Sequence, residues 1–140
     1  ETPDFSTTFP PHCLRGTRGA AKLAETAQDD PVPLALTDVP ERFLRGREFL
    51  LLKKSFDVFT NPNAERVLEL LDPDEVIVFG VATDVCDDAA IRGLLARGRA
   101  VTFVEEASRG LDKQRTGACL AAWRESGVHF ASVDEVTAGL

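Results

Sequence analysis

The residue with the clearest chemical potential is Cys86, which ends the segment GVATDVC (80–86) directly after the apolar run 76–79. A short apolar run that leads into glycine is typical of a buried strand followed by a helix. Free amide N–H groups and the positive dipole end at a helix N-terminus favour the thiolate form of a cysteine, which is its nucleophilic form. The position makes Cys86 a candidate nucleophile. The alternative, a small buried apolar residue, is the commoner role of a cytosolic cysteine, and the position alone does not decide against it.

A lysine ends the preceding apolar run. Lys53 follows residues 49–52 and is itself followed by Lys54. An ammonium group beside a thiolate stabilises the thiolate and can orient a carbonyl group. The alternative interpretation is that both lysines mark the point where a strand reaches solvent.

His12 is the candidate metal ligand of the sequence. It lies in FPPHC (9–13), where two prolines stiffen the loop. Neutral imidazole commonly binds zinc and similar metals, but a zinc site needs three or four ligands, so one histidine does not make a site. The other histidine, His129, falls in a predicted strand and is interpreted as structural.

The chain that must position these residues alternates strands and helices from about residue 48 onward. We predict strands over 49–52, 75–79, 100–104 and 128–130, helices over 64–71, 84–97 and 112–126, and a helical turn from Asp134. Asn63 and Asp112 are the predicted N-caps, and Gly98 and Gly127 the predicted helix ends. Residues 1–47 hold most of the prolines and are predicted to be a loop region that carries the active-site and metal residues.

This alternation predicts an α/β fold, with a three-layer αβα sandwich, a mainly parallel sheet and Rossmann-like topology. We interpret residues 1–140 as a single domain, with 48–140 as its core. Ligands of such sheets bind beyond the carboxyl ends of the strands. The segments after Lys53, Gly80 and Glu105 are therefore expected at one edge.

Composition excludes several classes of function. The net charge of −7 and the pI of 4.8 disfavour nucleic acids and anionic membranes as partners. No apolar run approaches the roughly 20 residues that span a bilayer. The three cysteines, an odd number at irregular spacing, form a poor disulfide framework and suit a reducing cytosol. We therefore expect a cytoplasmic protein that acts on a small molecule.

Three segments together resemble the nicotinamidase/isochorismatase-like cysteine hydrolase family. FPPHCLRGTRGA (9–20) is similar to the nicotinamidase stretch in which an aromatic residue, a proline and a His-Cys pair precede a Gly-Thr-x-Gly-Ala turn. LLKKSFDVFTNPN (51–63) is similar to the catalytic-lysine segment, and the spacing of six residues to a phenylalanine selects Lys53 over Lys54. FGVATDVCDDAAIRGLLARGRAVTFVEEASRGLD (79–112) resembles the nucleophile segment.

The resemblance implies a role for each matching residue. Cys86 would be the nucleophile, with Lys53 as its catalytic partner. The peptide bond between Val81 and Ala82 would be cis, and the Ala82 and Cys86 amides would form the oxyanion hole. His12 would bind a divalent metal, zinc by preference, and Phe9 would pack on the substrate ring. The implied reaction is hydrolysis of a small carboxamide, with nicotinamide as the best single substrate.

The chain departs from the family pattern in several places. Family members begin with a strand that carries a general-base Asp, and a second strand supplies an Asp-x-His pair of metal ligands. Neither is found here, so we expect that an N-terminal portion is missing, that the chain alone has little turnover and that an exposed strand edge promotes homo-oligomers. The family usually has Val where Asp87 stands, often Trp at Phe9 and commonly Asp at Glu106.

Other functions stay open on the sequence. One alternative is an enzyme on the same scaffold that cleaves the vinyl ether of isochorismate, which needs no metal, or an N-carbamoyl or ureido substrate. A non-catalytic homologue could have kept the fold without the Asp. A flavodoxin-like nucleotide binder is disfavoured because the Gly80 turn lacks a GxGxxG pattern.

Overall fold

The computed structural model describes residues 10–12, 14, 16–40, 42, 44–46 and 48–138. The chain divides into two compact units, the first ending at Pro31 and the second beginning at Val32. The described part of the first unit contains two short 3₁₀ helices, Arg18–Ala20 and Ala24–Thr26. All the strands and α-helices given below belong to the second unit.

The second unit alternates strands with helices, as the sequence predicts. All its strand pairs are parallel, which confirms the α/β class and the parallel strand arrangement. Across the described residues, no helix is long and apolar enough to span a membrane. In chain order the elements are β1 (Val32–Leu34), β2 (Phe49–Leu51), α1 (Ala64–Leu71), β3 (Glu75–Val78), α2 (Asp88–Ala96), β4 (Ala100–Val104), α3 (Lys113–Glu125), β5 (His129–Ala131) and α4 (Val133–Ala138).

The strands of the described residues pair in two groups. β1 pairs with β2, and β3, β4 and β5 pair in that order. Within the described residues β2 and β3 do not pair with each other. The mainly parallel pairing agrees with the predicted fold class.

Strand β1 was not predicted, because it is only three residues long and has Pro33 at its centre. Proline cannot donate to a strand ladder and is confined to edges and strand ends. The strand pairs through its flanking residues: the Val32 N–H donates to the Glu48 carbonyl at 2.9 Å, and the Leu34 carbonyl accepts from the Leu52 N–H at 3.0 Å. Because β1 pairs with β2 through Val32 and Leu34, the missing N–H of Pro33 removes no hydrogen bond between these strands.

The helices follow the sequence patterns closely, with one corrected cap. The Asp112 side chain caps α3 by accepting from the Arg115 N–H at 2.8 Å, as predicted. Asn63 precedes α1, but its side chain makes no capping hydrogen bond. It instead accepts from the Val39 N–H and donates to the carbonyls of Ala35 and Thr37, because it is buried among these backbone groups.

Each sheet has its own apolar core. The Phe103 and Trp123 rings meet edge to face, with centroids 4.8 Å apart, at the centre of the core between β4, α2 and α3. The Trp123 indole N–H donates to the Asp88 carboxylate at 3.0 Å, which satisfies the buried polar end of the ring. The smaller core, beside β1 and β2, is formed by Leu34, Leu44 and Val67.

A close contact at Gly93 packs the segment after β2 onto α2. A Cβ atom at Gly93 would lie 2.4 Å from Cδ2 of Phe59, so only glycine fits there. The Arg97 guanidinium lies 3.8 Å from the Phe59 ring centroid and also bonds to Glu65 of α1. Phe59 thereby lies against Gly93 of α2 and the side chain of Arg97, the residue after α2, so the segment that carries Lys53 packs on the helix that follows Cys86.

We predict that Gly93→Ala destabilises the protein by about 1–3 kcal/mol, which is typical of overpacking. The matched control is Gly117→Ala in α3, where an added Cβ has no neighbour within 4 Å. That control should stabilise the protein by about 0.5–1 kcal/mol, because alanine is the better helix former. Urea unfolding midpoints measure both effects. Equal stability of the two variants would show that the Phe59 contact is not tight.

Candidate active site

The turn that carries Cys86 connects β3 to α2. Residues Thr83–Asp87 form a single π-helical turn, a geometry that is rare and often found at functional sites. The Asp87 N–H donates to the Ala82 carbonyl at 3.0 Å, and Cys86 is half-buried two residues before α2 begins. Cys86 therefore lies at the carboxyl end of β3, as the sequence predicts.

The peptide bond between Val81 and Ala82 is cis, as the resemblance implies. The two residues differ in their surroundings, since Val81 is 73% exposed and Ala82 is buried. Gly80, which precedes them, has a φ of +136°, a conformation that strongly favours glycine. The oxyanion role of this segment stays a prediction.

Hydrogen bonds from the segment after β4 hold this turn in place. This agrees with the expectation that the segments after Gly80 and Glu105 lie at one edge. The Arg109 N–H donates to the Gly80 carbonyl and the Thr83 N–H donates to the Arg109 carbonyl, both at 3.1 Å. The Ser108 hydroxyl accepts from the Gly80 N–H at 3.1 Å and donates to the Val104 carbonyl at 2.9 Å. These hydrogen bonds hold the backbone of Gly80 and Thr83, which precedes Cys86, against Ser108 and Arg109.

Asp84 is the strongest anchor of the turn. Its side chain is fully buried, and its carboxylate accepts from the N–H groups of Leu111 (2.7 Å) and Asp112 (3.1 Å) and from Arg115 Nε (3.1 Å). Burial alone would raise the pKa of Asp84, but these donors together lower it below its usual range. Asp84 is therefore an ionised structural clamp, a role that the sequence pattern did not reveal.

Lys53 lies just beyond the carboxyl end of β2. Its Nζ donates to the Phe56 carbonyl at 2.7 Å, and the side chain is exposed. The buried Asn61 amide fixes the preceding strands by donating to the carbonyls of Leu34 (3.0 Å) and Leu52 (2.7 Å). Asn61 thus positions the chain segment from which Lys53 projects, and its type and place gave no such signal in the sequence.

Asp87, next to Cys86, is buried, and its carboxyl has a raised pKa. Burial raises the pKa of its carboxyl to about 6, the charge of Lys53 lowers it in part, and the charge of Asp84 adds to the rise. The sequence shows Asp87 and Asp88 side by side, but only the structure shows that Asp87 points inward.

Comparison with known proteins identifies the family. The family model described as the isochorismatase domain matches residues 3–135. The chain belongs to the isochorismatase family. A nicotinamidase/pyrazinamidase of Mycobacterium tuberculosis is 28% identical over 132 residues, a match that covers 92% of this chain and 66% of that protein.

Solved structures show the isochorismatase-like fold of the chain. An isochorismatase-like hydrolase from Alkaliphilus metalliredigens matches with a TM-score of 0.71 and 18% identity, over 93% of this chain and 62% of that one. A pyrazinamidase of Pyrococcus horikoshii, solved in complex with zinc, matches with a TM-score of 0.67 and 20% identity, over 89% and 63%. The chain thus spans about two thirds of the length of these relatives.

The predicted metal and substrate residues lie in the first unit. His12 is exposed there, and Phe9 lies outside the described residues. In the part of the chain that the structure describes, no three His, Cys, Asp or Glu side chains are grouped to hold a metal ion. The described residues therefore do not form a zinc centre, and the metal role of His12 stays a prediction.

We expect alkylating reagents to distinguish Cys86 from Cys119. Burial raises the pKa of Cys119 to about 11, and the charge and hydrogen bond of Asp88 add to this rise. Because only a thiolate reacts quickly, Cys119 should be inert to iodoacetamide at pH 7.5. Cys86 should be modified at least about tenfold faster. Mass spectrometry of digested protein measures both rates, with Cys86→Ala as the assignment control, and equal rates would refute this distinction.

The buried carboxyl of Asp87 predicts a pH-dependent gain in stability on Asp87→Asn. Its pKa is about 6 in the folded protein against an ordinary 3.8, so the folded state holds the proton more tightly. The free energy of unfolding therefore falls as the pH rises from about 4 to 6 and stays lower above that range. Asp87→Asn, which cannot ionise, should be more stable than the original protein at pH 8 by up to about 3 kcal/mol.

The difference between the two proteins should vanish near pH 3, where both side chains are neutral. Urea unfolding midpoints at several pH values measure it, with the exposed Asp74→Asn as the matched control. A gain for Asp87→Asn that does not change with pH would contradict the assignment of the raised pKa.

Proposed function

We propose that the chain carries the nucleophile and the activating lysine of a cysteine amidohydrolase that cleaves a small carboxamide, with nicotinamide as the substrate. The observation that carries the proposal is that each of the two residues follows the carboxyl end of a parallel strand. Cys86 follows β3 and Lys53 follows β2. Membership of the isochorismatase family and the similarity to a nicotinamidase/pyrazinamidase support this choice.

The proposed reaction has two covalent steps. The Cys86 thiolate attacks the amide carbonyl carbon, and the new C–S bond gives a tetrahedral oxyanion. The C–N bond then breaks, and the nitrogen takes up a proton and leaves as ammonia. Water next attacks the thioester, the C–S bond breaks, and the carboxylate product leaves.

Two groups stabilise charge in this scheme. The Lys53 ammonium stabilises the thiolate before attack and orients the carbonyl oxygen. The backbone amides of Ala82 and Cys86 are the proposed oxyanion donors, and one such donor is typically worth about 2.7–4 kcal/mol of barrier. These donors are backbone groups, so their contribution depends on the position of the turn rather than on a side chain.

Two further properties are proposed for the complete site. The zinc in the Pyrococcus horikoshii pyrazinamidase supports zinc as the metal, with His12 as one of its ligands. A homo-oligomer is the proposed assembly, supported by the exposure of Phe79 (60%) and Val81 beside the strand edge of β3.

We test the function by single-turnover ammonia release with the protein in excess over nicotinamide. This design detects slow chemistry, which we expect from the chain alone. Cys86→Ala should release no ammonia. Lys53→Gln should slow release by about 10²–10³-fold, because it removes one charged group that stabilises the transition state.

The matched control is Lys54→Gln, which removes the neighbouring exposed charge and should leave the rate unchanged. Ammonia from nicotinamide that survives Cys86→Ala would exclude the cysteine mechanism. Pyruvate from isochorismate without ammonia from nicotinamide would assign the vinyl-ether reaction instead. Neither product, together with an unreactive Cys86 thiol, would leave a non-catalytic homologue.

A further inference from the structure

The Asp84 carboxylate binds the N-terminal end of helix α3 much as a bound anion would. It accepts from the backbone N–H groups of Leu111 and Asp112, which precede the helix, and from the Arg115 guanidinium in its first turn. The free N–H groups and the positive dipole end of a helix favour an anion at that place. The turn that carries Cys86 is thus attached to the start of α3 through a charged side chain.

This attachment determines the direction in which Cys86 points. Asp84 and Cys86 belong to the same π-helical turn and are two residues apart. Side chains two residues apart on a helical turn point to roughly opposite sides. The exposures agree, because the side chain of Asp84 is fully buried and Cys86 is half-buried. Holding Asp84 against α3 therefore directs Cys86 towards the opposite, more accessible side of the turn.

Among the three donors to Asp84, Arg115 is the one that a substitution can remove while the backbone donors stay. Its Nε and Nη2 atoms each lie 3.1 Å from Asp84 Oδ2. Two donors on one rigid guanidinium restrict the orientation of the pair as well as its separation. The Arg115 side chain is 38% exposed, so its replacement should leave the core intact.

Another ion pair of α3 shows the contrast. Arg124 Nη2 lies 3.4 Å from Glu105 Oε2, and both side chains are more than half exposed. Exposed ion pairs of this kind contribute little to stability. Arg115 instead meets a carboxylate without exposed surface, where water and salt screen the attraction less.

We propose that Asp84 and Arg115 are positioning residues, whose ion pair holds the Cys86 turn against α3 and so orients the thiol and the Cys86 amide for attack. This inference rests on the proposed function, since it takes Cys86 as the nucleophile. Neither residue touches substrate or the reacting atoms in this scheme. The start of α3 then belongs to the machinery of the reaction, although none of its side chains reacts.

The proposal predicts a slower chemical step with unchanged substrate binding. Single-turnover ammonia release, measured over a range of protein concentrations in excess of nicotinamide, gives the rate constant at saturation and the half-saturating concentration. Arg115→Gln should lower the rate constant by about tenfold, because a small misplacement of a reacting group slows bond formation. The half-saturating concentration should stay the same, because Arg115 does not contact the substrate.

Three further variants define the origin of this loss. Arg115→Lys, which keeps the charge, should recover part of the rate. Arg124→Gln is the matched control, since it removes the exposed ion pair of the same helix and should change neither quantity. Asp84→Asn combined with Arg115→Gln should be no slower than Asp84→Asn alone, because the two residues act as a unit. Urea unfolding shows that each variant is folded under the assay conditions.

Alkylation of Cys86 distinguishes positioning from a loosened structure and needs no substrate. In Arg115→Gln, Cys86 should react more slowly with iodoacetamide, because its thiol moves away from the helix N-terminus that favours the thiolate. A merely structural role predicts the opposite sign, since a loosened turn exposes the thiol. Cys119 lies one helical turn after Arg115 in α3, so it reports loosening of that helix and should stay unreactive.

An unchanged rate of ammonia release with unchanged Cys86 alkylation in folded Arg115→Gln protein would overturn the proposal. A loss that Arg124→Gln reproduces, or faster alkylation of both cysteines, would overturn it as well. The outcome is separable from that of the proposed function. Slower Cys86 alkylation in Arg115→Gln, without ammonia release from the original protein, would support the positioning role and refute the amidohydrolase. Ammonia release that needs Cys86 but is indifferent to Arg115 would refute the positioning role alone.

Discussion

The side chain of Asp84 is fully buried, and its carboxylate joins the Cys86 turn to the segment that begins α3. A buried carboxylate is stable only when donors replace the water it has lost. Here the backbone of Leu111 and Asp112 and the side chain of Arg115 supply them. Since Asp84 is two residues before Cys86, the position of the thiol is fixed by the start of another helix. Everything proposed about Cys86 depends on this anchor.

Two carboxyls three residues apart experience opposite environments. Donors hold the pKa of Asp84 below its usual range, whereas burial raises that of Asp87. Pairs of acids whose pKa values are pushed apart in this way are typical of sites where one group is structural and the other exchanges a proton. In the same turn the protein therefore has a permanent anchor and a group that titrates near neutrality.

The sequence predicted most of the second unit because its patterns are local. The apolar run of β3, the caps of α3 and the glycine ends of α2 and α3 each depend on neighbouring residues. β1 escaped prediction because a three-residue strand with a central proline gives no periodic signal. Asn63 looked like an N-cap, but its side chain bonds backbone groups more than twenty residues away, which no local pattern encodes.

The residue types of the candidate site could be predicted from the sequence, but the interactions between its residues could not. Cys86 and Lys53 follow apolar runs, so their placement at strand ends follows from the rule that parallel strands share an edge. The burial of Asp87 was not predictable, because Asp87 and Asp88 are adjacent identical residues. Both face the protein, but Asp88 accepts from the Trp123 indole whereas Asp87 Oδ2 has no hydrogen-bond donor.

The relative position of Lys53 and Cys86 is set by side-chain packing rather than by a shared ladder of hydrogen bonds. Within the described residues β2 and β3 do not pair, so the two candidate groups belong to separate sheets. The Phe59–Gly93 contact and the Asn61 bonds therefore carry the alignment that a continuous sheet would otherwise supply.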